Sequence, residues 1–237
     1  MKTCCPKCEN SHLYHLKDSR AECSSCGLRF SPKKIHQSYQ YLNVFIQHYS
    51  TKDAALSCGA SLPTVQSYFN LFRTLLPSFL EQIYQKNSAT YREYEEYLFL
   101  PNSKRKKKQF LIQGIGIMAL YGKGGVYTLL MPEHWKNLEP NIKENPDFIQ
   151  TLANYYQWNK IVRIDSKTTP IGEFWHFLEN FMKPYHGVRE EYFGLYLKEA
   201  EFRFNYNKEK QAHHMMCLWK RHLKQKFMKQ EQQLLQA

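Results

Sequence analysis

The residues with the strongest chemical signature stand at the start of the 237-residue chain. Cys5-Pro6-Lys7-Cys8 and Cys23-Ser24-Ser25-Cys26-Gly27 form two Cys-x2-Cys knuckles separated by fourteen residues. Tetrahedral Zn2+ takes four thiolates at about 2.3 Å, and each tight knuckle supplies two of them from one turn. Pro6 stiffens the first turn, and Gly27 permits the chain to reverse after the second. Five of the seven cysteines lie within the first 26 residues, whereas Cys58 and Cys217 stand alone. Such clustering points to a metal rather than to disulfides. Cys4 is ambiguous, since it could replace Cys5 only at a looser spacing. His12 and His15, between the knuckles, read as surface residues.

A second set of residues could read a base-pair edge. On a helical wheel Val65, Tyr68, Phe69 and Phe72 share one arc, and Thr64, Gln66, Ser67, Asn70 and Arg73 take the other. Asn and Gln match adenine edges, Arg matches guanine or phosphate, and Ser or Thr suits either. A third set is the run Lys104, Arg105, Lys106, Lys107 and Lys108, whose mutual repulsion a phosphate backbone would relieve. With 33 Lys and Arg against 21 Asp and Glu, the net charge is +12 and the pI about 9.3. That balance favours an anionic partner, and the expected one is double-stranded DNA.

These groups need elements to hold them. Leu13, Tyr14, Leu16, Leu28 and Phe30 read as the few apolar residues of short strands around a zinc ribbon at 1–32. A helical pattern over 35–49 follows. Ser50 can then cap a short helix, Gly59 can end it in the left-handed conformation, and Ser61 can cap the next, with Pro63 in its first turn. Helix, glycine turn and helix is the layout of a helix-turn-helix, here within 35–86. From residue 91 the apolar period falls to two, predicting strands at 91–100, 110–121 and 125–131, the last two joined through Gly122-Lys123-Gly124. Helix to about residue 156, a strand at 160–165, helices at 171–182 and 189–205, and a basic helical tail at 207–237 complete the pattern. Phe174, Trp175, Leu178, Phe181 and Met182 form a stripe that reads as core. Glu199, Glu201 and Arg203 read as surface pairs, and His213 with Cys217 as solvent-facing. The fold expected is α/β and multidomain.

The order of zinc ribbon, helix-turn-helix and strands resembles the small zinc-ribbon transposases of bacterial insertion sequences, in the DDE, RNase H-like superfamily. Tyr196-Leu197-Lys198-Glu199-Ala200-Glu201-Phe202-Arg203-Phe204-Asn205-Tyr206 is similar to that family's closing helix nearly residue for residue. Ile171-Gly172-Glu173-Phe174-Trp175 is similar to its Ile-Glu-x-Phe-Trp signature, and Arg92-Glu93-Tyr94-Glu95-Glu96-Tyr97 to its first catalytic strand. The resemblance spans nearly the whole chain. It implies a reduced RNase H-like domain at 90–206 and DNA transposition, in which two Mg2+ held by three acidic residues drive in-line attack on a phosphodiester.

The departures fall on those acidic positions. Glu95 stands where the family has Asp, and Gly172 where it has Glu, with Glu173 displaced by one residue, about 100° of helix. Glu179 returns to roughly the family's face two turns along. Asp165 or Asp147 could serve as the second Asp, and Asp165 lies only eight residues from Glu173. The reading is therefore a DNA-binding transposase, or a protein derived from one, with a degenerate catalytic site. An active transposase using Glu95, Asp165 and Glu173 with Mg2+ is one alternative, and a zinc-ribbon transcription regulator is another. The longest weakly polar run, 110–121, is too short and broken to span a bilayer, and the first residues have no apolar stretch. The expected place is the bacterial cytoplasm, at the nucleoid. Whether the protein forms a homo-oligomer is left open.

Overall fold

The computed structural model describes residues 4–99, 114–131, 169–185 and 188–235. The chain divides into two compact units, Met1–Leu75 with Tyr206–Ala237, and Leu76–Asn205. The tail, a segment of its own in the sequence pattern, thus packs with the N-terminal residues.

The first unit begins with a small antiparallel sheet of β1 (Leu13–His15), β2 (Ala21–Cys23) and β3 (Arg29–Phe30). Its core is Cys5, Ala21, Cys23 and Phe30, with Ile35 and Phe227 packed against them. So small an apolar core gives the sheet little stability of its own, and a cross-link through the cysteines would add to it. Helix α1 (Pro32–Ile46) starts at Ser31, whose side chain accepts from the Lys34 amide. Helix α2 (Thr51–Cys58) is capped by Ser50, accepting from the Asp53 amide, and ends at Gly59 with φ +60°. Helix α3 (Leu62–Thr74) is capped by Ser61, accepting from Thr64. The caps expected from the sequence are all present. Val65, Phe69 and Phe72 are buried, and Phe45 of α1 meets the rings of Phe69 and Phe72 at 5.2 and 5.4 Å.

Helix α7 (Lys208–Leu235) closes this unit. Trp219 is buried, donates through Nε1 to Ser38 Oγ at 3.2 Å and stands edge-on to Phe72 at 5.0 Å. Met215 and Leu223 are buried on the same side of the helix, one turn before and after it.

The second unit holds α4 (Leu76–Asn87), a 3-10 turn at Ser88–Thr90 and a meander of β4 (Glu93–Phe99), β5 (Ile115–Gly122) and β6 (Gly125–Leu130). All strands are antiparallel, with Glu95 opposite Ala119 and Ala119 opposite Thr128. Helices α5 (Pro170–Met182) and α6 (Glu190–Asn205) supply Ile171, Phe174, Trp175, Leu178, Phe193 and Leu197 to a core shared with Phe99, Ile117, Ala119 and Val126. The stripe on α5 is core, as its spacing indicates.

The closing motif on α6 departs from expectation. Glu199 and Glu201 are each 1% exposed, and Arg203 is buried, so these are interior groups rather than surface pairs. Arg203 reaches Glu199 Oε1 through Nε at 2.7 Å and through Nη2 at 2.6 Å. Glu201 turns to β6, where it accepts from the amide of Thr128 at 2.9 Å and from its hydroxyl at 2.6 Å. Burial raises the Glu201 carboxyl above the usual range, opposed by Lys198 and Thr128. These polar groups are interior because Glu201 faces the β6 backbone and Glu199 faces Arg203.

Candidate metal centre and nucleic-acid face

Each knuckle folds for a local reason. The Cys5 carbonyl accepts the amide of Glu9, and the Cys23 carbonyl accepts that of Gly27, whose φ of +65° is left-handed. The thiols of Cys5, Cys8, Cys23 and Cys26 converge, all within 4.8 Å of one another. Cys5 lies 3.6 Å from Cys26, and Cys8 lies 3.5 Å from Cys23 and 3.5 Å from Cys26. A tetrahedron with metal–sulfur bonds of about 2.3 Å has edges of about 3.8 Å, so these spacings suit one cation, whereas a disulfide needs about 2.05 Å. The four cysteines can hold a metal ion. Cys4 is exposed and stands outside the group, which resolves the choice between Cys4 and Cys5.

Electrostatics at the cluster are uneven. Burial pushes the Cys5 thiol up to about 12. Burial would also raise Cys23, but the amides of Cys26 and Ser25 and the thiols of Cys8 and Cys26 outweigh it and bring it down to about 6. The lowered Cys23 thiol favours the thiolate form that a cation binds, whereas burial of Cys5 and Cys26 opposes it.

On α3, Thr64, Gln66 and Ser67 are exposed and Asn70 is half-buried. Arg73 is only 3% exposed. Four residues after Phe69 it is only about 40° away round the helix, on the packed side. Its guanidinium donates to Asn70 Oδ1 at 3.1 Å and lies 5.8 Å from the Phe45 ring centre. The exposed polar face is therefore Thr64, Gln66 and Ser67.

Among the acidic candidates, Glu95 on β4 accepts from the indole Nε1 of Trp175 at 3.0 Å. Tyr97, two residues along the strand, stacks on Trp175 at 4.7 Å and donates its hydroxyl to Glu179. Glu173 is exposed in the first turn of α5, about 200° round the helix from Trp175. The helix carboxylate joined to the β4 side is thus Glu179. Among the described residues the four cysteines form the one group of three or more His, Cys, Asp or Glu able to share a cation.

The chain is 42% identical over 99 residues to an uncharacterized transposase-like protein of Haemophilus influenzae, a match covering 34% of this chain and 80% of that protein. It belongs to this transposase-like family. No family model and no solved structure matches the transposase-like chain. Among its described residues, no helix is long and apolar enough to cross a membrane.

Several sequence candidates of this transposase-like protein, namely Lys104, Arg105, Lys106, Lys107, Lys108, Asp147 and Asp165, lie outside the described residues. The helix and the single strand expected between 132 and 168 also lie there. Sequence reasoning missed the Trp175 to Glu95 hydrogen bond and the burial of Arg73. The wheel angle of Arg73 from Phe69 was a usable signal for the second. Nothing in sequence pairs residues 80 positions apart for the first.

Proposed function

We propose that this chain is a DNA-binding transposase, or a protein derived from one, that recognises the ends of an insertion sequence through α2 and α3 acting as a helix-turn-helix. The observation that carries the reading is the exposed triplet Thr64, Gln66 and Ser67 at the start of α3, just after the Gly59 turn. A recognition helix presents its N-terminal residues to the major groove, and this triplet has donors and acceptors for base edges. The four cysteines would hold Zn2+ as a structural ion, and the excess of cations would supply affinity for phosphate.

The second unit is read as the reduced RNase H-like domain, on the strength of its antiparallel three-strand meander covered by α5 and α6. Its acidic site is read as degenerate because Glu173 turns to solvent, away from the Trp175 that holds Glu95. Mg2+ enters only if catalysis survives.

The test is fluorescence anisotropy on duplexes carrying the sequences that flank the gene. Gln66→Ala should lower the preference for these ends over random duplex by about 5- to 100-fold, the value of one bidentate base contact. Equal binding of both duplexes by the wild type would overturn the reading.

A further inference from the structure

The first unit contains a groove of about 550 Å³ to which nothing above assigns a role. Its walls come from the ribbon (Arg20, Arg29), the first turn of α1 (Lys34), α3 (Ser67) and the far end of α7 (Lys226), over a floor that includes Trp219. Four cations from three separate stretches of chain meet here, and all four side chains are exposed. A small-molecule site buries most of its ligand. Cations on a rim instead suit a polyanion lying across the opening. Arg20 and Arg29 are braced by Asp18 and Glu22, each at 2.5 Å. Among the described residues no carboxylate pairs with Lys34 or Lys226. Ser67 belongs both to this groove and to the exposed triplet on α3, so the two surfaces are continuous.

We infer that this groove seats the phosphate backbone of the DNA duplex that α3 reads, and that α7 is therefore a DNA-contacting element of the N-terminal unit. The inference rests on the DNA-binding reading above. Helix α7 suits the part by composition, with seven Lys and Arg against two Glu between Lys208 and Leu235. It is also held in register. Trp219 fixes it to Ser38 and Phe72, and Phe227 packs on the ribbon core, which sets Lys226 beside the ribbon. Backbone contacts of this kind position a protein on DNA without choosing sequence.

The test uses the full chain loaded with Zn2+ and the duplex of flanking ends. Log affinity against log salt is measured for the wild type, for Lys34→Gln with Lys226→Gln, and for Lys226→Glu alone. The paired variant should flatten the slope by roughly 1.8, two phosphate contacts at about 0.9 each, while preference for the ends over random duplex stays within about twofold. Lys226→Glu, a single exposed change that leaves the core intact, should weaken both duplexes equally. Wild-type binding with an unchanged slope in both variants would overturn the groove and leave the α3 reading standing. No wild-type binding at low salt would overturn both. A variant that loses preference for the ends without a change in slope would also overturn the groove, because it would make these lysines base readers.

Discussion

Asn205 acts on Val126 as a neighbouring strand would. Its Oδ1 accepts the Val126 amide at 2.8 Å, and its Nδ2 donates to the Val126 carbonyl at 2.6 Å. The cause lies in the β5–β6 turn. Gly122 and Gly125 flank a two-residue loop, so β6 bonds to β5 at alternate residues and leaves the amides and carbonyls of Val126 and Thr128 facing the other way. Asn205, Glu201 and Lys198, spaced along one face of α6, satisfy them, with Lys198 Nζ on the Thr128 carbonyl at 2.7 Å. A helix thereby covers a sheet edge that would otherwise invite another strand.

Asn205→Ala should cost about 2–4 kcal/mol, since it leaves two half-buried backbone groups without their partner. Asn205→Asp should be no better, because a carboxylate can accept from the amide but repels the carbonyl. Chemical denaturation of both variants checks this, and wild-type stability in either would remove the clamp. Gly125→Ala should fail similarly, as its φ is +89° and an added Cβ would lie 2.4 Å from Asn205 Oδ1.

Breaking the Glu199–Arg203 pair should be more severe. Glu199→Ala removes the carboxylate beside a buried guanidinium and should lower stability by about 3–5 kcal/mol. Joining it with Arg203→Met should recover part of that loss. A double variant weaker than the sum of the singles would show that the pair was not the reason.

The metal centre makes a sharp contrast among cysteines. Wild type should carry one equivalent of Zn2+, Cys23→Ser should carry none and lose the ribbon, and Cys4→Ser should match the wild type. Metal analysis with near-ultraviolet circular dichroism separates these outcomes. Zinc retained in Cys23→Ser would sink the assignment.

Acid should weaken the first unit through two histidines on α7. Burial, with His213 and Lys210 nearby, lowers His214, and burial with Lys226 nearby lowers His222, which stacks on Trp219. Both pKa values lie below the ordinary 6.5, so the unfolded chain binds more protons in the window beneath it. Their stabilising contribution is present above 6.5 and is lost as pH falls through the folded values. Between about pH 7.5 and about pH 5.5 the thermal midpoint should fall less in His222→Phe, which keeps the stacking, than in wild type. Parallel curves would exclude His222 as a source.

Strand cleavage should be absent. In a nicking assay on flanking-end DNA with Mg2+ or Mn2+, wild type and Glu95→Gln should be indistinguishable. Two-metal chemistry needs carboxylates placed to within about half an ångström, and Glu173 projects to solvent. Cleavage that disappears in Glu95→Gln would restore the active enzyme.

Local chemistry was legible in the chain itself. The knuckles, the caps at Ser50 and Ser61, the left-handed Gly59 and the alternation of β5 each depend on residues a few positions apart, so spacing alone determines them. The core stripe of α5 is legible for the same reason, since a helix repeats its faces every 3.6 residues. What spacing could not supply is the identity of the surface opposite a polar face. Glu199 and Glu201 read as surface pairs, yet Glu199 meets the buried Arg203 and Glu201 meets the edge of β6 at Thr128, 73 residues away in sequence. Arg73 looked like a base reader but lies over Phe45. Lys34 and Lys226 stand 192 positions apart and share a groove only because Trp219 folds α7 back onto α1. Hydrophobic pattern and capping act within a turn or two of chain, whereas the pairing of polar groups is set by whichever element the tertiary fold brings against them.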